Sequence, residues 1–168
     1  VRFATEKITL SANTFATPPH KDLKYDLRIY VLVSSYDPLR VYIFEEGLVR
    51  FATHKYTTKL KEVKKRFIHL TNFSVNKHSK MFVKNKEADE DGQGSKWSLT
   101  ALKSYYQSIG VDSVTVMLLL IQLFERIKEI IVKTCIAAEP TMLHIHSKSQ
   151  ERRTCGFELY GFDILVDD

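Results

Sequence analysis

Between Lys24 and Val33 the chain alternates polar and apolar residues. Tyr25, Leu27, Ile29, Val31 and Val33 fall on one side of a strand, because successive side chains leave opposite faces, and Lys24, Asp26 and Arg28 fall on the other. Tyr36-Asp37-Pro38-Leu39 predicts a turn, with proline presetting the bend. Val41–Phe44 and Leu48–Thr53 predict two more strands, joined by a hairpin at Glu45-Glu46-Gly47, where the glycine permits positive φ. Residues 24–53 therefore read as a three-stranded meander. The apolar spacing of Trp97, Leu99, Ala101, Leu102 and Tyr105 predicts a helix from near Ser95, closed by Gly110. A second helix is expected after Asp112 or Ser113, running to about Ala138, with Pro140 beyond its end. Its Val114–Phe124 part is apolar all round and its Glu125–Ala138 part amphipathic. Phe157–Val166 predicts a last strand, and residues 85–95 an exposed loop. Residues 1–23 lack a pattern, although Val1-Arg2-Phe3-Ala4-Thr5 recurs as Val49-Arg50-Phe51-Ala52-Thr53. Strands, then helices, then a strand give an α+β class.

Composition narrows the picture. A chain of 168 residues, 44% apolar and 27% charged, is long enough to bury a core, and with 6 Gly and 4 Pro it is neither collagen-like nor low-complexity. Its most apolar stretch is shorter than the roughly 20 residues a membrane helix needs, and the N-terminus shows no basic start followed by an apolar block, so no membrane association is expected. Two cysteines are too few for a disulfide framework, and a reducing compartment is expected. The net charge of +5 is concentrated: ten Lys and Arg between Lys55 and Lys86 face one acid in the same stretch up to there, Glu62. Clustered cations suit polyanions, but Tyr56 and Phe67, the aromatics in or beside the Lys55–Arg66 part of the run, are too few for a nucleic-acid stacking platform. GxGxxG, Walker and GxSxG motifs are absent. His144-x-His146 with Cys155 lacks the paired cysteines and fourth ligand of a zinc site.

Three segments can carry chemistry. Lys24, Asp26 and Arg28 share a strand face that is either a solvated surface or one wall of a phosphate pocket, with Arg50 joining if the strands pack side by side. In His69-Leu70-Thr71-Asn72, the hydroxyl and amide act either as turn caps or as hydrogen-bonding partners of phosphate. Asp163 interrupts an apolar strand, so it is paired with an arginine, sits at a strand edge, or binds magnesium.

The ordered set Lys24-Tyr25-Asp26-Leu27-Arg28-Ile29-Tyr30-Val31, Ser35-Tyr36-Asp37-Pro38-Leu39-Arg40, Glu46-Gly47-Leu48-Val49-Arg50-Phe51-Ala52, His69 to Lys77 and Gly161-Phe162-Asp163 resembles the tubulin tyrosine ligase-like family. Ser74-Val75-Asn76-Lys77 and Lys96-Trp97 are most similar to its polyglutamylase branch. The resemblance implies that residues 24–168 are the C-terminal part of an ATP-grasp catalytic domain, a largely antiparallel sheet flanked by helices, preceded by an irregular segment, 1–23, that does not match. It implies an ATP-dependent ligase that activates a carboxylate as an acyl phosphate and joins free L-glutamate to glutamate side chains in acidic C-terminal tubulin tails. The implied cofactors are ATP and Mg2+. Lys24, Asp26, Thr71 and Asn72 match nucleotide-binding positions. Arg28 and Arg50 match positions at the reacting groups, and Arg50, Phe73, Ser74 and Lys96 match positions at the amino-acid substrate. Phe73 stands where this branch usually carries tyrosine. Asp163 matches a magnesium ligand.

A monomer at the cytoplasmic microtubule cytoskeleton, cilium or basal body is expected, with no nucleic-acid partner. The family's final Glu-x-Asn strand and its upstream subdomains are not in this sequence, so the fragment alone is expected to be nearly inactive. The alternative expectation is a non-catalytic basic module that binds acidic tubulin tails or another polyanion.

Overall fold

The computed structural model describes residues 3–9, 22–85, 91–149 and 156–167. Five strands form one sheet: β1 (Phe3–Thr9), β2 (Leu23–Tyr36), β3 (Leu39–Lys55), β4 (Lys96–Ser98) and β5 (Glu158–Asp167), in the order β1-β5-β2-β3-β4. The last four pair antiparallel, and β1 lies parallel to β5 at one edge. The helices are two single turns, α1 (Arg66–His69) and α2 (Phe73–Asn76), then α3 (Leu99–Ser108) and the long α4 (Ser113–Ser149). The α+β class stands.

The alternation in β2 sorts its residues as expected. Leu27, Ile29, Val31 and Val33 are fully buried and Tyr25 nearly so. Their face packs with Val49, Phe51, Phe162 and Ile164 of the neighbouring strands against α3 and α4. Trp97 from β4 enters this core edge-on to Phe51, with ring centroids 5.3 Å apart. From α4 come Val116, Leu119, Leu123, Ile127, Ile131, Cys135 and Met142, a stripe recurring every three or four residues with Ala138 half-buried in the one gap. Each fully buried aliphatic side chain in it stabilises the fold by about 1.5–3 kcal/mol. Ser98 caps α3 by accepting from the Ala101 N–H at 2.8 Å. Asp112 caps α4 by accepting from Val114 and Thr115, and the hydrogen bond from Thr115 holds its carboxyl below the usual range. Gly110 closes α3 with φ +89°, donating to the Gln107 carbonyl.

Four expectations are corrected. The meander is two strands, not three. β3 runs unbroken from Leu39 to Lys55, and Glu45-Glu46-Gly47 is a bulge: Ile29 pairs with Gly47 and Val31 with Ile43, so two extra residues sit on β3. Gly47 serves close approach, since a Cβ there would lie 2.7 Å from the Arg28 carbonyl oxygen and 3.0 Å from Ile29. The displaced Glu46 reaches across to accept from the Leu99 N–H at 2.8 Å and the Thr100 hydroxyl at 2.6 Å, tying the bulge to the start of α3.

Helix α3 starts at Leu99 rather than near Ser95, because Lys96–Ser98 pairs with Leu48–Arg50 as β4. Helix α4 does not stop near Ala138 but passes through Pro140. Proline removes one backbone bond, while Met142 and Leu143 beyond it still bury apolar surface against the core and carry the helix onward. Residues 1–23, read as irregular, contain β1, whose Phe3–Thr5 pairs with Gly161–Asp163. The Thr17-Pro18-Pro19-His20 segment and residues 86–90 of the expected loop lie outside the described residues.

Burial raises the pKa of the Cys135 thiol. A neutral, buried thiol is a poor nucleophile. Alkylation of the Cys135 peptide, followed by mass spectrometry, is therefore expected to be about tenfold or more slower in the native chain than in urea.

Candidate active site

The second face of the sheet carries the charges. On β2, Asp26 and Arg28 point away from the core, and the antiparallel register sets Arg50 opposite Asp26 and Asp163 opposite Arg28. Cross-strand neighbours on one face lie within side-chain reach, so four charged groups meet in one place. Arg50 Nε donates to Asp26 Oδ1 at 2.9 Å and its Nη2 to Asp26 Oδ2, a two-pronged contact. The same Nη2 lies 2.9 Å from Asp163 Oδ1. Arg28 Nε donates to Asp163 Oδ1 at 2.5 Å and its Nη2 to Oδ2 at 3.2 Å.

The result is an alternating row, Asp26, Arg50, Asp163, Arg28, nearly shut off from water: the side chains of Arg50 and Asp26 are 10% and 5% exposed. Burial alone would favour a neutral Arg50, but the Asp26 hydrogen bond and the charges of Asp26 and Asp163 outweigh it and raise its pKa. The guanidinium is therefore charged at every physiological pH.

The segment after β3 folds back over these charges. α2 is pinned by Asn76, which is fully buried: it accepts from the Thr53 hydroxyl at 3.0 Å and donates to the Leu70 carbonyl at 2.7 Å. Two backbone hydrogen bonds hold the far wall, with the Ser95 N–H donating to the Val83 carbonyl and the Phe51 N–H to the Ser95 carbonyl, both at 3.1 Å. Between them lies a cavity of 380 Å³. Arg28 and Arg50 form its floor, Thr71 and Phe73 one side, and Ser95 and Lys96 the other. Phe82 stacks edge-on to Phe73 at 5.7 Å and, with Lys84 and Asn85, completes the rim. No carboxylate pairs with Lys84 or Lys96 among the described residues. Four cationic side chains thus line one cleft and a buried threonine hydroxyl stands beside them, an arrangement suited to carboxylates and phosphates.

Of the residues singled out in the sequence, Arg28, Arg50, Thr71, Phe73 and Lys96 line this cleft, and Asp26 and Asp163 lie behind it in the charged row. Lys24 is half-buried on the same strand two residues before Asp26, outside the lining. Asn72 sits next to Thr71 with its carbonyl accepting from Val75 and Asn76, and it is not part of the lining either. Ser74 is exposed and faces a different cavity. Of the three readings of Asp163, the arrangement shows the arginine-paired one. The sequence reading missed Lys84, Asn85 and Ser95. Ser95 was legible as the neighbour of Lys96, but Lys84 stood among ten similar cations and only the backbone pairing with Ser95 brings it to the rim.

The fold and the cleft define an α+β domain in which four cationic side chains line one cavity over a buried row of arginines and aspartates. The chain belongs to the tubulin-tyrosine ligase family, whose model matches residues 20–168. It is 44% identical over 146 residues to the tubulin monoglutamylase TTLL4 of Mus musculus, covering 86% of this chain and 12% of that protein. It is 41% identical over 147 residues to the tubulin polyglutamylase TTLL5 of Mus musculus, covering 88% and 10%, and 40% identical over 148 residues to the tubulin polyglutamylase TTLL6 of Mus musculus, covering 86% and 16%. The chain thus spans between a tenth and a fifth of the length of these relatives.

Proposed function

We propose that residues 24–168 form the C-terminal part of an ATP-grasp catalytic domain. Its reaction joins free L-glutamate to glutamate side chains of acidic tubulin tails, at the microtubule cytoskeleton. The observation that carries this reading is the convergence of Arg28, Arg50, Thr71 and Lys96 on one cleft in a chain whose relatives are tubulin glutamylases. ATP, when bound, would supply the phosphoryl group that activates the acceptor carboxylate toward attack by the amine, with ADP and then phosphate as the leaving groups. The chain's part is to position and to neutralise.

Arg50, locked to Asp26 and Asp163, presents a fixed positive edge to the α-carboxylate of the incoming glutamate. Arg28, held at right register by Asp163, faces the oxygens that gain charge as the amine attacks. Lys96 in the wall and Lys84 at the rim add point charges, and the Thr71 hydroxyl would donate to a phosphate oxygen. Phe73, half-exposed beside Phe82, offers a ring face to the glutamate methylenes with no hydroxyl to donate. Magnesium does not fit the residues as arranged. Asp163 Oδ1 already accepts from both arginines, and no three potential metal-ligating side chains converge among the described residues. No step is therefore assigned to the ion.

The test is incorporation of labelled glutamate into a tubulin-tail peptide by a protein carrying this chain at the relatives' full length. Incorporation is expected to require ATP and to fall about a hundredfold or more with Lys96→Ala. Incorporation that is independent of ATP, or full activity in that variant, overturns the reading.

A further inference from the structure

Helix α4 gives one face to the core, and its other face is open to solvent. On that outer face Val114, Leu118, Ile121, Glu125, Lys128 and Val132 recur in alternating steps of four and three residues, the spacing of a two-helix seam. Ile136 continues the row one turn further on. The apolar members are between 41% (Val132) and 68% (Val114) exposed. An uncovered apolar row of this length marks a contact surface. Its middle is charged: Glu125 and Lys128 stand there, paired with each other at 2.7 Å and both open to water.

That interruption identifies the occupant. A lipid surface would strip water from both charges and offer neither a partner. A second copy of α4, running antiparallel about a two-fold axis between Arg126 and Ile127, matches the whole row. Glu125 then faces Lys128 of the second copy, and Lys128 faces its Glu125. Ile121 faces Val132 on either side of these two layers, and Leu118 with Ile136 adds the next layer out. A parallel pairing would instead set Glu125 on Glu125 and Lys128 on Lys128, which like-charge repulsion opposes. The two-fold contact uses the same patch on both copies, so it closes at two. Helix α4 packs on the core face of the sheet and the cleft opens on the other, so both clefts stay accessible.

We propose that the chain associates as an antiparallel two-fold dimer through this face of α4, in place of the monomer expected from the sequence. Nothing in this pairing depends on the activity proposed above.

The experiment is sedimentation velocity of the full chain from about 1 to about 200 µM. The mass is expected to pass from one copy to two with a midpoint on the order of 10 µM, and to rise no further. Glu125→Lys alone and Lys128→Glu alone each set like charges across the seam, and each is expected to weaken pairing by about tenfold or more. An equimolar mixture of these two variants is expected to pair within about threefold of the parent, because every charge again meets its opposite. Unfolded copies could not do so, and the mixture thereby separates lost pairing from lost folding. Ile121→Gln/Val132→Gln is expected to weaken pairing by about tenfold or more, and the control Lys103→Glu, on α3, by about twofold or less. A single-copy mass at about 200 µM, growth beyond two copies, a mixture no tighter than its components, or equal weakening in seam and control variants overturns the proposal. So does a protein carrying this chain at the relatives' full length that stays a single copy over the same range, since its own added segments would then cover the face.

Discussion

Replacing Arg50 with methionine is expected to lower the unfolding free energy by about 3–5 kcal/mol, because Asp26 is then left buried, charged and without its two-pronged partner. The double variant Asp26→Leu/Arg50→Met is expected to recover most of that loss, since a buried ion pair exchanged for apolar groups of similar volume is close to neutral. Urea unfolding monitored by the Trp97 fluorescence measures both. The pair also separates structure from chemistry. In a protein carrying this chain at the relatives' full length, both variants are expected to lose glutamate incorporation, although only one loses stability. A stable single variant would show that the row of charges is not holding the strands together, and an active double variant would remove Arg50 from the substrate.

The second large effect is expected at Gly47. A methyl group there would lie 2.7 Å from the Arg28 carbonyl oxygen, a backbone atom of the paired strand that cannot swing aside. Gly47→Val is expected to destabilise the chain by about 3 kcal/mol and lower Tm by roughly 6–12 °C, with Gly47→Ala intermediate. Because the clash falls on the carbonyl of Arg28, the variants are also expected to disturb the contact between Arg28 and Asp163 before the core itself gives way. A melting temperature within 2 °C of the parent, taken as about 1 kcal/mol or less, would show that the bulge absorbs the side chain.

The core face of β2 was readable because period-two alternation is a local property, and all five of its apolar positions are buried. The helix caps at Asp112 and Gly110 were equally local, being set by a side-chain oxygen and by a positive φ. The bulge was not. Glu45-Glu46-Gly47 has the composition of a turn, and only pairing with β2 on one side and Glu46 capping α3 on the other keeps β3 extended through it. Pro140 misled for the same reason: its backbone cost is visible in the sequence, whereas the burial of Met142 beyond it is a tertiary fact.

In the site, residues two apart on one strand could be placed on a common face from the sequence. Which of them would meet Arg50 and Asp163 depended on strand order and register. The chemistry of the charged row follows from having β5 and β3 on opposite sides of β2.

The amide of Asn76 has a consequence of a different kind. It bolts α2 to Thr53 on the sheet and to the loop at Leu70, and α2 is the partition between two neighbouring chambers. Chambers with a common partition do not change size independently: tilting that single turn enlarges one at the expense of the other. A side chain that lines neither chamber thereby sets how the available room is divided between them.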